Sequence, residues 1–338
     1  VSNLPHEVFT VEGFALECGA VLPHLRLAWS QQGRVGHGRP VLLCTAFAAT
    51  PLDLAYLWAP GTALDPARHW LIHVEMLGNG RSSSPSNSAA PWAGPRFPPV
   101  SMRDNVALQA RLLDHLGVGA LQAVVGASMG GAQAVQWAVH DAQRAGAAVV
   151  IAGNAQTTLY GQLFLHTVAS ALKSDPAFAE GHYEEPPLLG LSRLSETWAP
   201  FALSPRFFST GLHLQHADMA ADDLPGFLAK WRTRYHQKDA NDLLCHLDTW
   251  ARHDIGRTPG CDVLAAAARR ATCPMLFVPT STDLYFHPDD VREQATLFPD
   301  ARVQVIDTLS GHAAAFGRMP QDRERIDAAV SAFLEQRA

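Results

Sequence analysis

The residues Gly126-Ala127-Ser128-Met129-Gly130 form a G-x-S-x-G pentapeptide, a pattern suited to nucleophilic acyl transfer from a serine hydroxyl. A serine on a sharp strand-to-helix turn needs small neighbours. Gly126 and Gly130 would let the two backbones pass close together, and the helix start behind Ser128 would favour developing negative charge. Glycine is common enough that a chance match in a chain of this length is on the order of one in ten. The flanks therefore decide. An apolar strand pattern (121–125) enters the motif and a helical pattern (131–140) leaves it, which is the setting such a turn requires.

A serine nucleophile needs a base, and the base needs a group to orient it. In an elbow of this kind the acid and then the histidine follow along the chain. The apolar run CPMLFVPT leads into Asp283, and RVQVIDTL leads into His312. Both residues fall on loops beyond the ends of consecutive strands, where ligands gather in a parallel sheet. Asp289 and Asp290 follow Pro288 and read as first-turn helix acids, and Asp307 falls within a strand run. An oxyanion hole requires two backbone N–H groups. One is expected from Met129, and the other from the loop after the third strand, at Phe47 or alternatively Ala46.

These residues need a sheet to hold them. The first ~30 residues read as a hairpin. Apolar runs at 40–47, 69–77, 121–128, 147–153, 273–280 and 302–309 then alternate with helical patterns. Near-continuous apolar runs fit strands covered on both faces. Ser101 reads as the N-cap of a helix stopping at Gly117, and a last amphipathic helix ends the chain. The alternation breaks between ~155 and ~270, where helical spacing dominates. The expected organisation is a mostly parallel α/β core over 1–155 and 271–338, with a helical cap (156–270) inserted after the sixth strand. Gly78 to Pro99 reads as a long Ser/Pro-rich loop. Its Gly78-Asn79-Gly80 start is no dinucleotide fingerprint, because Ser83 stands where a third glycine belongs and no helix follows.

Composition removes other classes. The net charge is −6 with no block of like charges, so nucleic acid and anionic membrane surfaces are poor partners. The stretch from Leu116 to Val139 is uncharged but holds five glycines and three glutamines, which argues against a membrane span. Five scattered cysteines with no C-x-x-C pair suggest neither a zinc ribbon nor a disulfide framework, and VSNLPHEVF does not look like a secretory leader. A cytoplasmic location is expected. Among sixteen histidines, His213, His216, His236 and His246 of the cap read as surface or packing residues, and no metal-ligand spacing appears.

Several segments together resemble the homoserine O-acetyltransferase-like branch of the α/β-hydrolases across nearly the whole chain. They are PGTALDPARHWLI, GASMGGAQAVQWA, DANDLL, TDLYFHPDD and GHAAAF. The resemblance implies an α/β-hydrolase fold, a Ser128–His312–Asp283 triad, a ping-pong route through an acyl-enzyme, a cap forming a tunnel and a homodimer made through that cap. It breaks at the substrate determinants. The family's Gly-Cys-x-Gly-Ser-Thr-Gly-Pro loop is here Gly78-Asn79-Gly80-Arg81-Ser82-Ser83-Ser84-Pro85, and Ala313 replaces the Asp that follows the catalytic histidine. A methyl group cannot balance an ammonium, so amino-acid recognition is not expected. The chain looks more like the branch with a GNG-x-SSSPSN loop. The expected function is hydrolysis of small acetyl-type esters without a cofactor. The alternatives are an O-acyltransferase using acetyl-CoA as co-substrate, and a non-catalytic binding protein on the same fold.

Overall fold

A computed structural model of the chain describes residues 4–37, 40–215 and 221–336. Eight strands form one sheet in the order β1-β2-β4-β3-β5-β6-β7-β8. They are β1 (Glu7–Ala15), β2 (Val21–Gly33), β3 (Pro40–Cys44), β4 (Trp70–Val74), β5 (Ala123–Ala127), β6 (Ala148–Ile151), β7 (Met275–Val278) and β8 (Ala301–Val303). The expected hairpin is β1 and β2, and β2 also runs antiparallel to β4. The pairs β3–β4, β3–β5, β5–β6, β6–β7 and β7–β8 are parallel.

The apolar runs are continuous because both faces of the central strands are covered. Leu42, Val124, Val150 and Phe277 point into one core, while Val41, Leu43, Val125, Val149, Leu276 and Val278 point into the other. This is the period-two alternation of a strand with helices on each side. Helices α1 (Met102–His115) and α2 (Met129–His140) fill the first face, with Leu108, Leu112, Val135 and Trp137 fully buried. After β7 come α9 (Pro288–Ala295) and the final α10 (Pro320–Glu335), whose Ile326, Val330 and Phe333 close the second face. Ser101 caps α1 through a capping box with Asp104, and Gly117 ends the segment at φ 67°.

Between β6 and β7, where the cap is expected, the described residues form α-helices joined by loops and short 3-10 turns, with no strand. The α-helices are α3 (Leu159–Lys173), α4 (Leu188–Ala202), α5 (Pro205–Ser209), α6 (Leu224–His236), α7 (Ala240–Ala251) and α8 (Leu264–Ala268). Asp223 and Asp239 cap α6 and α7 through their side chains. His216 lies outside the described residues. No helix among the described residues is long and apolar enough to cross a membrane, and the Leu116–Val139 stretch divides into β5 and α2.

One reading needs correcting. The last strand is three residues long rather than spanning 302–309, so Asp307 lies beyond it, exposed, accepting from Ser281 Oγ at 3.0 Å. The Gly78–Pro99 segment has no long element, as expected of a loop, and its Ser82, Ser83 and Ser84 are buried. Their hydroxyls replace a missing ladder. Ser82 Oγ donates to Glu75 O and accepts from Ala28 N, Ser83 Oγ accepts from Arg26 N, and Ser84 Oγ accepts from Gly80 N. Polar side chains can sit inside because each one satisfies backbone.

Candidate active site

Ser128 sits between β5 and α2 at φ 56° and ψ −125°, a conformation that side-chain-bearing residues rarely adopt. The glycines around it allow this. A Cβ on Gly126 would lie 2.1 Å from Gly130 O, and one on Gly130 would lie 2.3 Å from Cys44 O. Both positions are closed to any side chain, since the atoms in the way are backbone. The turn therefore brings the start of α2 against the end of β3.

Asp283 follows β7 and is fully buried. Its Oδ1 accepts the Tyr285 and Phe286 N–H groups at 2.7 and 3.1 Å, which leaves Oδ2 to face His312 Nδ1 at 2.7 Å. The far side of the ring, Nε2, stands 3.0 Å from Ser128 Oγ. Tyr285 and Phe286 pack on the imidazole with centroids at 4.6 and 5.5 Å. The loops carrying acid and base are also tied to each other. Thr280 Oγ1 donates to Gly311 O at 2.9 Å, and Gly311 N–H donates to Thr282 Oγ1 at 3.0 Å. The three residues singled out by spacing are thus joined Oγ to Nε2 and Nδ1 to Oδ2, with the ring held in plane by its neighbours. Asp289 and Asp290 occupy the first turn of α9 instead.

The two backbone groups proposed for anion binding face the same place differently. Met129 begins α2, where helix geometry supplies no carbonyl for its N–H. Phe47 borders the cavity above Ser128, whereas Ala46 borders a separate void of about 10 Å³ behind it. Ala46 O accepts from Ala49 N–H at 3.2 Å, closing a four-residue turn with Ala48 at φ 50°. The peptide whose carbonyl faces Ala49 must point its N–H, that of Phe47, the opposite way.

That cavity holds about 80 Å³. Its walls are Phe47, Trp198, Trp231, Tyr235, Phe316 and Ala313, and Phe47 stacks on Trp198 at 4.6 Å. Asp53, Arg234 and Arg318 stand together on the same cavity, with Arg318 2.7 Å and Arg234 3.6 Å from Asp53. A far larger cavity, about 720 Å³, lies between the 85–99 segment and α7 and contains none of Ser128, His312 or Asp283. Size and chemistry therefore part company, and the hydrogen-bonded run of Ser128, His312 and Asp283 marks the smaller cavity.

Reading the sequence alone missed most of the walls. Trp198, Trp231 and Tyr235 come from α4 and α6, where spacing shows that aromatics are buried but not what they face. Among the described residues no group of three or more His, Cys, Asp or Glu side chains could hold a metal ion.

Comparison with known proteins agrees with this architecture. Residues 39–317 match the family model described as the alpha/beta hydrolase fold. The chain is 31% identical over 341 residues to the ethyl acetate hydrolase of Pseudomonas veronii, covering 99% of this chain and 97% of that one. The structure of the acetyl esterase MekB superposes with a TM-score of 0.94 at 30% identity, covering 98% of this chain and 97% of that one. The homoserine O-acetyltransferase of Thermus thermophilus is 30% identical over 350 residues, covering 94% and 89%. The chain belongs to the α/β-hydrolase fold family, in the branch that holds both acetyl esterases and homoserine O-acetyltransferases.

Proposed function

We propose that this protein is a serine esterase hydrolysing small acetyl-type esters through an acyl-enzyme. The observation that carries the reading is the run from Asp283 through His312 to Ser128 Oγ, at 2.7 and 3.0 Å, opening on a cavity of about 80 Å³. Ser128 Oγ attacks the ester carbonyl carbon while His312 Nε2 takes the hydroxyl proton. The carbonyl oxygen becomes an oxyanion held by the Met129 and Phe47 N–H groups. The C–O bond to the alcohol then breaks, and His312 returns its proton to the leaving oxygen. Water attacks the acyl-enzyme by the same steps in reverse, releasing the acid and restoring Ser128. Asp283 keeps the imidazole proton on Nδ1, so that Nε2 is free to accept.

The small cavity favours an acetyl group over a long acyl chain. Ala313 at its wall supplies no charge for an amino group. The likeness to ethyl acetate hydrolase and acetyl esterase supports the same substrate class. Kinship with homoserine O-acetyltransferases keeps a second reading in view, in which acetyl-CoA is the donor and a metabolite hydroxyl replaces water. The residues 156–270 act on this reading as a cap over the core segments 1–155 and 271–338. Leu159, Leu163, Leu188 and Leu189 are exposed on α3 and α4, which favours pairing with a second copy through the cap. The five scattered cysteines, with no C-x-x-C pair, fit a reducing, cytoplasmic setting.

The test compares p-nitrophenyl acetate turnover with acetyl-CoA consumption for wild type and Ser128→Ala. Ester hydrolysis lost in Ser128→Ala, with acetyl-CoA untouched, is the expected result. Consumption of acetyl-CoA that rises with an added hydroxyl acceptor would make it a transferase. A Ser128 that neither turns over esters nor labels with a fluorophosphonate would leave only a non-catalytic binding protein.

A further inference from the structure

The turn that carries Phe47 is gripped from two sides. Beneath it, Gln133 of α2 donates Nε2–H to Thr45 O at 2.9 Å, and Thr45 Oγ1 accepts from Met76 N at 3.2 Å. Above it, two residues of the cap region take both backbone polar groups of Ala48. Ala48 N–H donates to His246 Nδ1 at 3.2 Å, and Lys238 Nζ donates to Ala48 O at 2.9 Å. Ala48 occupies the third place of the turn with φ 50°, a place that normally calls for glycine. An alanine held there is strained, and the strain must be opposed from outside.

His246 is suited to that task. Its ring is buried, and Nε2 is hydrogen-bonded to Leu77 O at 3.1 Å, where it must donate. Nδ1 is then bare and can only accept. Burial also lowers the ring's pKa to about 4, which keeps it neutral. The ring packs on Phe47 itself, with centroids 5.8 Å apart. Its approach depends on Gly78, where a Cβ would lie 2.7 Å from Cys245 Sγ and 3.1 Å from His246 Cδ2. One imidazole thus joins α7, the start of the 78–99 segment and the turn beside Ser128.

We infer that His246, assisted by Lys238, is a positioning residue for the oxyanion hole: by holding Ala48 it maintains the turn that aims the Phe47 N–H at the reacting carbonyl. The inference rests on the esterase reading and on Phe47 as a donor. It makes the cap a part of transition-state stabilisation as well as a cover over the cavity.

Two near-isosteres separate positioning from packing. In His246→Asn the amide oxygen takes the place of Nδ1 and can still accept from Ala48, whereas His246→Gln places its amide near Nε2 and leaves Ala48 unpaired. Rates are measured on p-nitrophenyl acetate per active site, counted by fluorophosphonate labelling. His246→Gln is expected to lose on the order of tenfold in kcat with little change in KM, since complete loss of such a donor costs 10²–10³. His246→Asn should keep most of the rate. Adding Ala48→Gly to His246→Gln should recover activity, because glycine holds the turn without help. Lys238→Met should lower kcat by a smaller factor, and it tests the same grip if the histidine variants fold poorly. Wild-type kcat in both His246→Gln and Lys238→Met, or Gln outperforming Asn, would overturn the inference. Should the esterase reading itself be wrong, the wild type would not hydrolyse p-nitrophenyl acetate or would keep that rate in Ser128→Ala, and both outcomes are separable from a normal His246→Gln beside a dead Ser128→Ala.

Discussion

Replacing Asp283 by asparagine tests the proposed mechanism at a single proton. The two N–H groups of Tyr285 and Phe286 point at Oδ1, so the asparagine must keep its oxygen there. Its NH₂ is then forced towards His312 Nδ1, at the place where Oδ2 now lies 2.7 Å away. A donor facing Nδ1 compels the imidazole to carry its proton on Nε2, which turns a hydrogen towards Ser128 and removes the base. The same change in a serine protease triad costs about 10⁴ in kcat, equivalent to roughly 5.4 kcal/mol at 1.36 kcal/mol per tenfold. We expect a loss of that order here. The two backbone hydrogen bonds survive, so stability should change by less than about 1 kcal/mol. The assay is steady-state hydrolysis of p-nitrophenyl acetate beside thermal unfolding of both proteins. A variant within tenfold of the wild-type kcat would refute the tautomer argument. A variant that is inactive because it has unfolded would leave the loss without a catalytic meaning, and the melting curve excludes that case.

Three further outcomes are expected. Burial pushes the Asp242 carboxyl up to about 7, above its ordinary value of 3.8. A folded pKa above the unfolded one means the fold holds the proton more tightly, so this contribution is complete below pH 3.8 and is lost as pH rises to 7. Asp242→Asn should therefore raise thermal stability at pH 8, by at most roughly 4 kcal/mol at 1.36 per pKa unit, with the gain fading towards pH 4; a gain independent of pH would contradict this. Gly130→Ala places a methyl 2.3 Å from Cys44 O and should destabilise by about 1–3 kcal/mol, with loss of ester hydrolysis, while an unshifted melting temperature would show that the elbow can yield. Ala313→Asp should increase the share of acyl-enzyme captured by an added amino alcohol over water, read by product partitioning, and an unchanged ratio would remove Ala313 as a determinant of acceptor choice.

What could be read from the sequence follows from how local each signal is. The core strands announce themselves because burial on both faces demands unbroken apolar runs, as in Ala123–Ala127 and Met275–Val278. Ser128, Asp283 and His312 were legible because each lies where an apolar run stops, so chain order and strand ends placed them on one edge. The cavity walls were not. Trp198 and Trp231 sit on α4 and α6, and which way a buried aromatic faces is decided by packing across all the helices between β6 and β7. The end of β8 was misjudged for a related reason. Beyond Val303 the pattern still alternates, but the pairing with the β7 segment thins to scattered backbone bonds and an isolated bridge between Thr280 and Ile306. Composition showed the 78–99 segment to be a loop but not that its serines are buried, since that depends on hydroxyls bonded to distant backbone. His246 shows the limit most clearly: a histidine in a helix looks the same in sequence whether it fills space or holds a strained turn.

The conformation of Ser128 bears on how such a protein ages in evolution. At φ 56° and ψ −125° the residue sits where glycine rests comfortably and serine does not, a difference of about 1–3 kcal/mol. Selection for robustness alone would replace it: Ser128→Gly should melt at a higher temperature than the wild type while hydrolysing nothing. Keeping the hydroxyl thus means keeping a fault in the fold at its centre. Descendants released from the need for this reaction have a downhill first step available, and it erases the reactive atom itself. Related chains that have taken up binding or scaffolding duties on this fold are where a glycine at this turn is to be sought.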